Sequence, residues 1–261
     1  MKIETNGIDI HYEISGQAPG RPWVTLAHSL ATDLTLWDGV AAALASRFNV
    51  LRYDARGHGR SDAPAGPYDF PTLVGDLVGL LDALRIERTH FVGLSMGGML
   101  GQHFALAAPG RLDKLVLVST SSRTPPEGRA LWDERIAVAR GQGMQAHVEA
   151  TLARWFTAPY RAAHPEVMAR IGALIAATPA AGFAGWGAAI CSLDVTAQLG
   201  AIKAPTLVVG GADDPGTPPA LSRTIAAAIP GARLAIVPQA SHQLVIEQAE
   251  IFNRLLLDFL G

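Results

Sequence analysis

Gly93-Leu94-Ser95-Met96-Gly97 is the stretch on which the fold of this chain turns. It fits G-x-S-x-G, in the surroundings that the pattern requires. The apolar run His90 to Leu94 reads as a buried strand, and the residues from Met96 to Ala108, just before Pro109, read as a helix. A serine between strand and helix sits on a sharp, strained turn, where glycines on either side remove the Cβ atoms that would clash. The turn lifts the Oγ above the sheet edge at a helix N-terminus, whose N–H groups and dipole favour developing negative charge.

Outward from that turn, the pattern of short apolar runs and longer amphipathic stretches repeats. Trp23 to Ala27, Asn49 to Tyr53, Lys114 to Ser119, Pro205 to Gly210 and Arg233 to Val237 are short, nearly continuous in apolar character and bounded by turn residues. They suit parallel strands covered on both faces. The N-terminus differs: Lys2 to Thr5 and Asp9 to Ser15 flank Asn6-Gly7, a type I′ hairpin signal. Pro71 to Leu84 places Leu73, Leu77, Leu80, Leu81 and Leu84 on one helical stripe, and Gln248 to Leu260 does the same with Ile251, Phe252, Leu255 and Phe259. Residues 120–195 break the rhythm. They hold short helical patterns split by Gly and Pro, with Trp132, Trp155 and Trp186. This predicts a helical cap inserted after the sixth strand, with the core formed by residues 1–119 and 196–261.

Composition narrows the function. Of 261 residues, 49% are hydrophobic, and 21 Lys+Arg against 23 Asp+Glu leave a net charge of −2 without a run of like charge. Neither a nucleic acid nor an anionic membrane surface would find an electrostatic footprint. A single Cys191 makes no intramolecular disulfide and no structural zinc site. The expected setting is the reducing cytoplasm, with no apolar run near the roughly 18 residues of a membrane span. There is no Walker-A spacing, no G-x-G-x-x-G after the first strand and no H-E-x-x-H, so neither a cofactor nor a metal is expected.

A serine hydroxyl needs a general base, and the base needs an acid to orient it. Of eight histidines, His11 and His90 fall in strands, His103 lies along the helix after Ser95, and His147 and His164 lie in the insertion. His28 and His58 follow strands and compete on loops. His242, in the loop between the last strand and the last helix, is best placed. The acid comes from Asp213-Asp214, just past the strand that ends at Gly210, and the residues alone leave the two aspartates open. The order Ser95, acid, His242 then follows. For an oxyanion hole, the N–H of Met96, directly after the nucleophile, and that of Leu30, on the loop Ala27-His28-Ser29-Leu30, are the candidates. Asp54 to Ser61 reads equally as a turn organised by Asp and Gly.

Taken together, these segments resemble the α/β-hydrolase superfamily over nearly the full length. More narrowly, the chain is similar to the 3-oxoadipate enol-lactonases of bacterial aromatic catabolism. The likeness rests on Ser29 to Leu34 with Trp37-Asp38, Leu51 to Gly59, Ala63 to Tyr68, Gly93 to Gly98, Arg154-Trp155-Phe156-Thr157 and Asp214-Pro215-Gly216-Thr217-Pro218-Pro219. The resemblance implies a mostly parallel eight-stranded sheet flanked by helices, with a helical lid after strand 6. In that family the acid immediately precedes proline, which favours Asp214 over Asp213. The implied substrate is a small, anionic lactone or ester, its carboxylate held by a lid arginine. Arg135 and Arg154 are the candidates, beside Trp132 and Trp155. A general carboxylesterase, a cofactor-free perhydrolase and a ligand receptor that keeps the hydrolase fold but signals by lid rearrangement are the competing functions. Two departures from the family, His28-Ser29-Leu30-Ala31 for Asn-Ser-Leu-Gly and Ser241-His242-Gln243-Leu244-Val245 for Ala-His-Leu-Ser-Asn, are expected to line the pocket.

Overall fold

The computed structural model describes residues 1–261. Eight strands form one sheet: β1 (Lys2–Thr5), β2 (Ile8–Ser15), β3 (Trp23–Ala27), β4 (Asn49–Tyr53), β5 (Thr89–Leu94), β6 (Leu112–Val118), β7 (Thr206–Gly211) and β8 (Arg233–Val237). Their order is β1-β2-β4-β3-β5-β6-β7-β8. β1 and β2 pair antiparallel, as do β2 and β4, and every later pairing is parallel. Asn6 and Gly7 both take positive φ, 49° and 75°, as a type I′ turn demands. β4, β5 and β7 are buried along their whole lengths, as expected of strands covered on both faces.

Helices α1 (Asp38–Leu44), α2 (Phe70–Ala83) and α3 (Met96–Ala107) connect the early strands. Asp69 starts α2: its side chain accepts the Thr72 N–H at 2.8 Å, and Pro71 occupies the first turn, where an N–H has no partner in any case. The leucine stripe Leu73, Leu77, Leu80 and Leu81 is buried. Between β6 and β7 lie five helices: α4 (Pro126–Gln142), α5 (Val148–Trp155), α6 (Ala158–Ala163), α7 (Pro165–Ala177) and α8 (Ala180–Cys191). A single antiparallel bridge, Arg123 with Asp194, closes their neck, beside bonds from Thr124 N to Leu193 O and from Val195 N to Ser122 O, each 2.9 Å. α8 lies against the core. The buried Trp186 donates its indole N–H to Arg56 O at 2.8 Å, and the backbones of Gly57 and Gly182 meet so closely that a Cβ on Gly182 would lie 1.9 Å from Gly57 O. The chain closes with α9 (Pro219–Ala228), α10 (Leu244–Glu247) and α11 (Ala249–Leu260); α11 packs with α1, and Trp37 meets Phe252. No single helix is long and apolar enough to cross a membrane.

This topology brings together the loops that leave the C-terminal ends of β3, β5, β7 and β8. A crevice outside those ends is where open α/β sheets place their ligands.

Candidate active site

Ser95 stands between β5 and α3 with φ 54° and ψ −110°. A non-glycine residue there carries about 1–3 kcal/mol of strain, which the surroundings must hold in place. They do so with hydrogen bonds at both ends of the residue: Ser95 N–H to Val118 O at 2.8 Å, and Thr120 Oγ1 and Met99 N–H to Ser95 O at 2.7 and 3.0 Å. The flanking glycines are dictated by close approach. A Cβ on Gly93 would lie 2.2 Å from Gly97 O, and one on Gly97 would lie 2.2 Å from Ala27 O.

His242 follows β8 and is buried. Its Nδ1 lies 2.7 Å from Asp214 Oδ2, and its ring stacks on Trp155 with centroids 6.1 Å apart. Asp214 is the aspartate that meets His242, whereas Asp213 is exposed and faces away into a separate surface groove. The Asp214 carboxylate is fully engaged. Oδ1 accepts the N–H groups of Gly216 and Thr217 at 2.8 and 2.9 Å, and Oδ2 accepts the Thr217 hydroxyl at 2.5 Å. Burial pushes its pKa up, but the nearby His242 and these hydrogen bonds outweigh burial and bring it down to about 2. Asp214 is therefore ionised at neutral pH and can orient the His242 ring. Ser95 Oγ makes no hydrogen bond to His242 in this resting geometry, although both line the same cavity. Such bonds commonly tighten only when substrate binds.

Leu30 lines that cavity and its N–H has no acceptor within the protein, while Met96 opens α3, where the first N–H groups have no partner within the helix. One unsatisfied donor on the wall of the cavity that holds Ser95, and one on the residue directly after it, fit an oxyanion hole. The loop carrying Leu30 is braced from behind. Ala31, at φ 59°, donates its N–H to His58 Nε2 at 3.0 Å, and Ala55 N–H bonds His28 Nε2 at 3.0 Å. Both imidazoles are buried, which lowers the pKa of each, that of His58 to about 3. Neutral rings of this kind accept backbone N–H bonds. His28, Ser29 and Gln243 do not line the cavity, contrary to expectation from the two departures. They lie behind it, with Gln243 Nε2 donating to Ser29 Oγ at 3.0 Å, and only Leu30, Ala31 and His242 of those segments reach the cavity wall. Asp54 is a turn organiser: its carboxylate accepts the N–H groups of Leu34 and Arg60, each at 2.8 Å, and contacts His11 Nδ1.

The cavity measures about 480 Å³. Trp132, Arg135, Arg154 and Trp155 all line it, together with Met99, Met144, Phe183 and His147. Arg135 lies over the Trp132 ring at 5.2 Å. Neither Arg135 nor Arg154 makes an ion pair. Burial, and then the Arg154 cation, lower the Arg135 pKa to about 10; burial lowers that of Arg154 also. Two half-buried cations on one cavity wall, neither paired with a carboxylate, favour an anionic ligand there. Sequence reasoning overlooked Thr217, although its place three residues past Asp214 is the spacing of a side-chain-organised turn. It also overlooked Glu247, whose partner Thr157 lies far away in the chain, and placed His147 in the insertion without placing it on the cavity wall.

A family model described as the alpha/beta hydrolase fold matches residues 22–249. The chain belongs to the α/β-hydrolase family. Among α/β-hydrolases of known structure, the enol-lactonase from Burkholderia xenovorans LB400 is 42% identical and superposes with a TM-score of 0.96 over 100% of this chain and 99% of that one. 3-Oxoadipate enol-lactonase 2 of Acinetobacter baylyi is 34% identical over 96% of this chain and 92% of its own length. A protein of Variovorax paradoxus provisionally named carbamate hydrolase RutD is 36% identical, over 97% and 96%. This member of the family is thus a hydrolase whose relatives carry more than one substrate name.

Proposed function

We propose that the protein is a serine hydrolase that opens a small carboxylate-bearing lactone or ester, with 3-oxoadipate enol-lactone as its substrate in aromatic catabolism. The observation that carries this is the pair of unpaired guanidiniums, Arg135 and Arg154, in the same cavity as Ser95 and His242. A neutral ester gains nothing from them, whereas a carboxylate gains a charge-assisted contact that fixes its orientation.

His242 takes the Ser95 proton as Oγ attacks the lactone carbonyl, and the N–H groups of Leu30 and Met96 hold the oxyanion. The tetrahedral intermediate then collapses and the ring C–O bond breaks, the enol oxygen taking the proton from His242. The leaving group remains tethered to the acyl chain. His242 next deprotonates a water, which attacks the acyl carbon; the acyl C–Oγ bond breaks, Ser95 Oγ takes the proton back from His242, and the diacid is released. Asp214 stabilises the imidazolium in both halves. The likeness to the proteins named enol-lactonase supports this substrate, and the likeness to the carbamate hydrolase supports a second, a small carbamate.

The test is kcat/KM on the enol-lactone, on a small carbamate and on p-nitrophenyl acetate, for the native enzyme, R135A and R154A. The lactone should be preferred, and loss of the guanidinium that holds its carboxylate should cost it about tenfold or more, the worth of one charge-assisted contact. A preference for the neutral acetate, or a lactone rate indifferent to both R135A and R154A, would overturn the anionic-lactone reading.

A further inference from the structure

Glu247 at the end of α10 is a buried carboxylate without a cationic partner. Its Oε1 accepts both the N–H and the hydroxyl of Thr157, at 2.7 and 2.6 Å, and its Oε2 accepts the N–H of Ser241 at 2.7 Å. Three donors converge on one side chain from two segments that are distant in sequence. Only an acceptor-only group satisfies them all; an amide would turn its own N–H₂ toward at least one of these donors.

The two segments are the ones that carry the chemistry. Ser241 precedes His242, and Thr157 ends the stretch Arg154-Trp155-Phe156-Thr157. Two further bonds run between the same segments, Ser241 Oγ to Arg154 O at 2.9 Å and Gln243 N–H to Trp155 O at 3.0 Å, and the Trp155 and His242 rings stack. His242 has its own support in Asp214, whereas the Arg154 side chain has a single weak hydrogen bond, 3.3 Å to Thr151 Oγ1. The position of Arg154 relative to the catalytic centre thus depends on its backbone, which the Glu247 contacts hold.

We infer that Glu247 is a positioning residue for substrate selectivity: it fastens the lid stretch 154–157 to the His242 loop and so sets the distance between the general base and the guanidinium that receives the substrate carboxylate. This inference rests on the proposal that a lid arginine binds a carboxylate.

The test uses two aryl esters of equal acyl length, mono-p-nitrophenyl succinate and p-nitrophenyl butyrate, so that it does not depend on the lactone itself. The native enzyme should favour the succinate. In E247Q the succinate-to-butyrate ratio of kcat/KM should fall about tenfold, chiefly through a higher KM for the succinate, because misplacement by about 1 Å is enough to cost up to 10²-fold. T157V, which removes the hydroxyl donor and leaves the backbone N–H, should lower the ratio in the same direction by a smaller factor, and it decides the matter if E247Q does not fold. A ratio unchanged in folded E247Q and T157V, or equal losses on both esters, would overturn the inference and identify Glu247 as support for the fold alone. A native enzyme without preference for the succinate would instead overturn the carboxylate-binding proposal on which it rests.

Discussion

Asp213 and Asp214 are chemically identical neighbours, and their surroundings separate them. Asp214 is buried and receives three hydrogen bonds besides His242, while Asp213 is exposed. D214N should lower kcat by about 10⁴-fold, the scale of losing the correct His tautomer, whereas D213N should stay within about twofold; parallel measurement of turnover checks both. The folded pKa of Asp214 lies below its ordinary value, so its share of the stability is complete above the ordinary carboxylate range and disappears as pH falls through about 2. Ala31 presents another local contrast. It adopts φ 59°, a left-handed conformation that suits glycine, at the position where the enol-lactonase pattern has glycine. A31G should stabilise the protein by about 0.5–1 kcal/mol in a urea titration, the relief of Cβ strain exceeding the added freedom of the unfolded chain.

The strand-turn-helix unit β5-Ser95-α3 is built to tolerances that the motif letters only hint at. Gly97 sits in the first turn of α3 against Ala27 O, the last residue of β3 and the start of the loop that carries Leu30. G97A should therefore do two things together. It should cost about 1–3 kcal/mol in stability by overpacking, and it should lower kcat by disturbing the Leu30 donor. A variant that keeps native kcat and thermal midpoint would show that the elbow is looser than this contact requires. α8 also reaches the core as an element. Trp186, one of the tryptophans marking the insertion, serves as an anchor against Arg56, while Trp132 and Trp155 line the cavity.

For the molecule as a whole, acid should weaken the fold well above the titration of its carboxylates. His28, His58 and His103 are all held below the ordinary imidazole pKa by burial, His58 to about 3 and His103 to about 4. They stay neutral in the folded protein and become charged in the unfolded chain. The unfolded state therefore binds more protons below about pH 6.5, and stability falls with falling pH, by about 1.4 kcal/mol per pH unit for the fully buried His58 and by less for the half-buried His103. Urea titrations at pH 7 and pH 5 should show a clear drop in unfolding free energy, and equal values would contradict the neutral, buried state of these rings. Because His28 and His58 brace the Leu30 loop, that loss should reach the catalytic machinery as well.

The order of the elements, the mostly parallel sheet, the elbow at Ser95 and the candidacy of His242 were legible in the sequence, because each depends on local spacing: apolar runs of strand length, a turn that only glycines allow, a histidine after the last strand. The choice between Asp213 and Asp214 needed a family resemblance, since two adjacent carboxylates differ only in which one the turn buries. Other features could not be seen before folding. The departures at His28 and Gln243 lie behind the cavity wall rather than on it, and Glu247 contacts Thr157, ninety positions away in the chain. Such contacts depend on long-range packing, which local pattern does not encode: the sequence by itself determined which residues can do the chemistry, and only the tertiary structure decided which of them stand together around one cavity with two unpaired arginines.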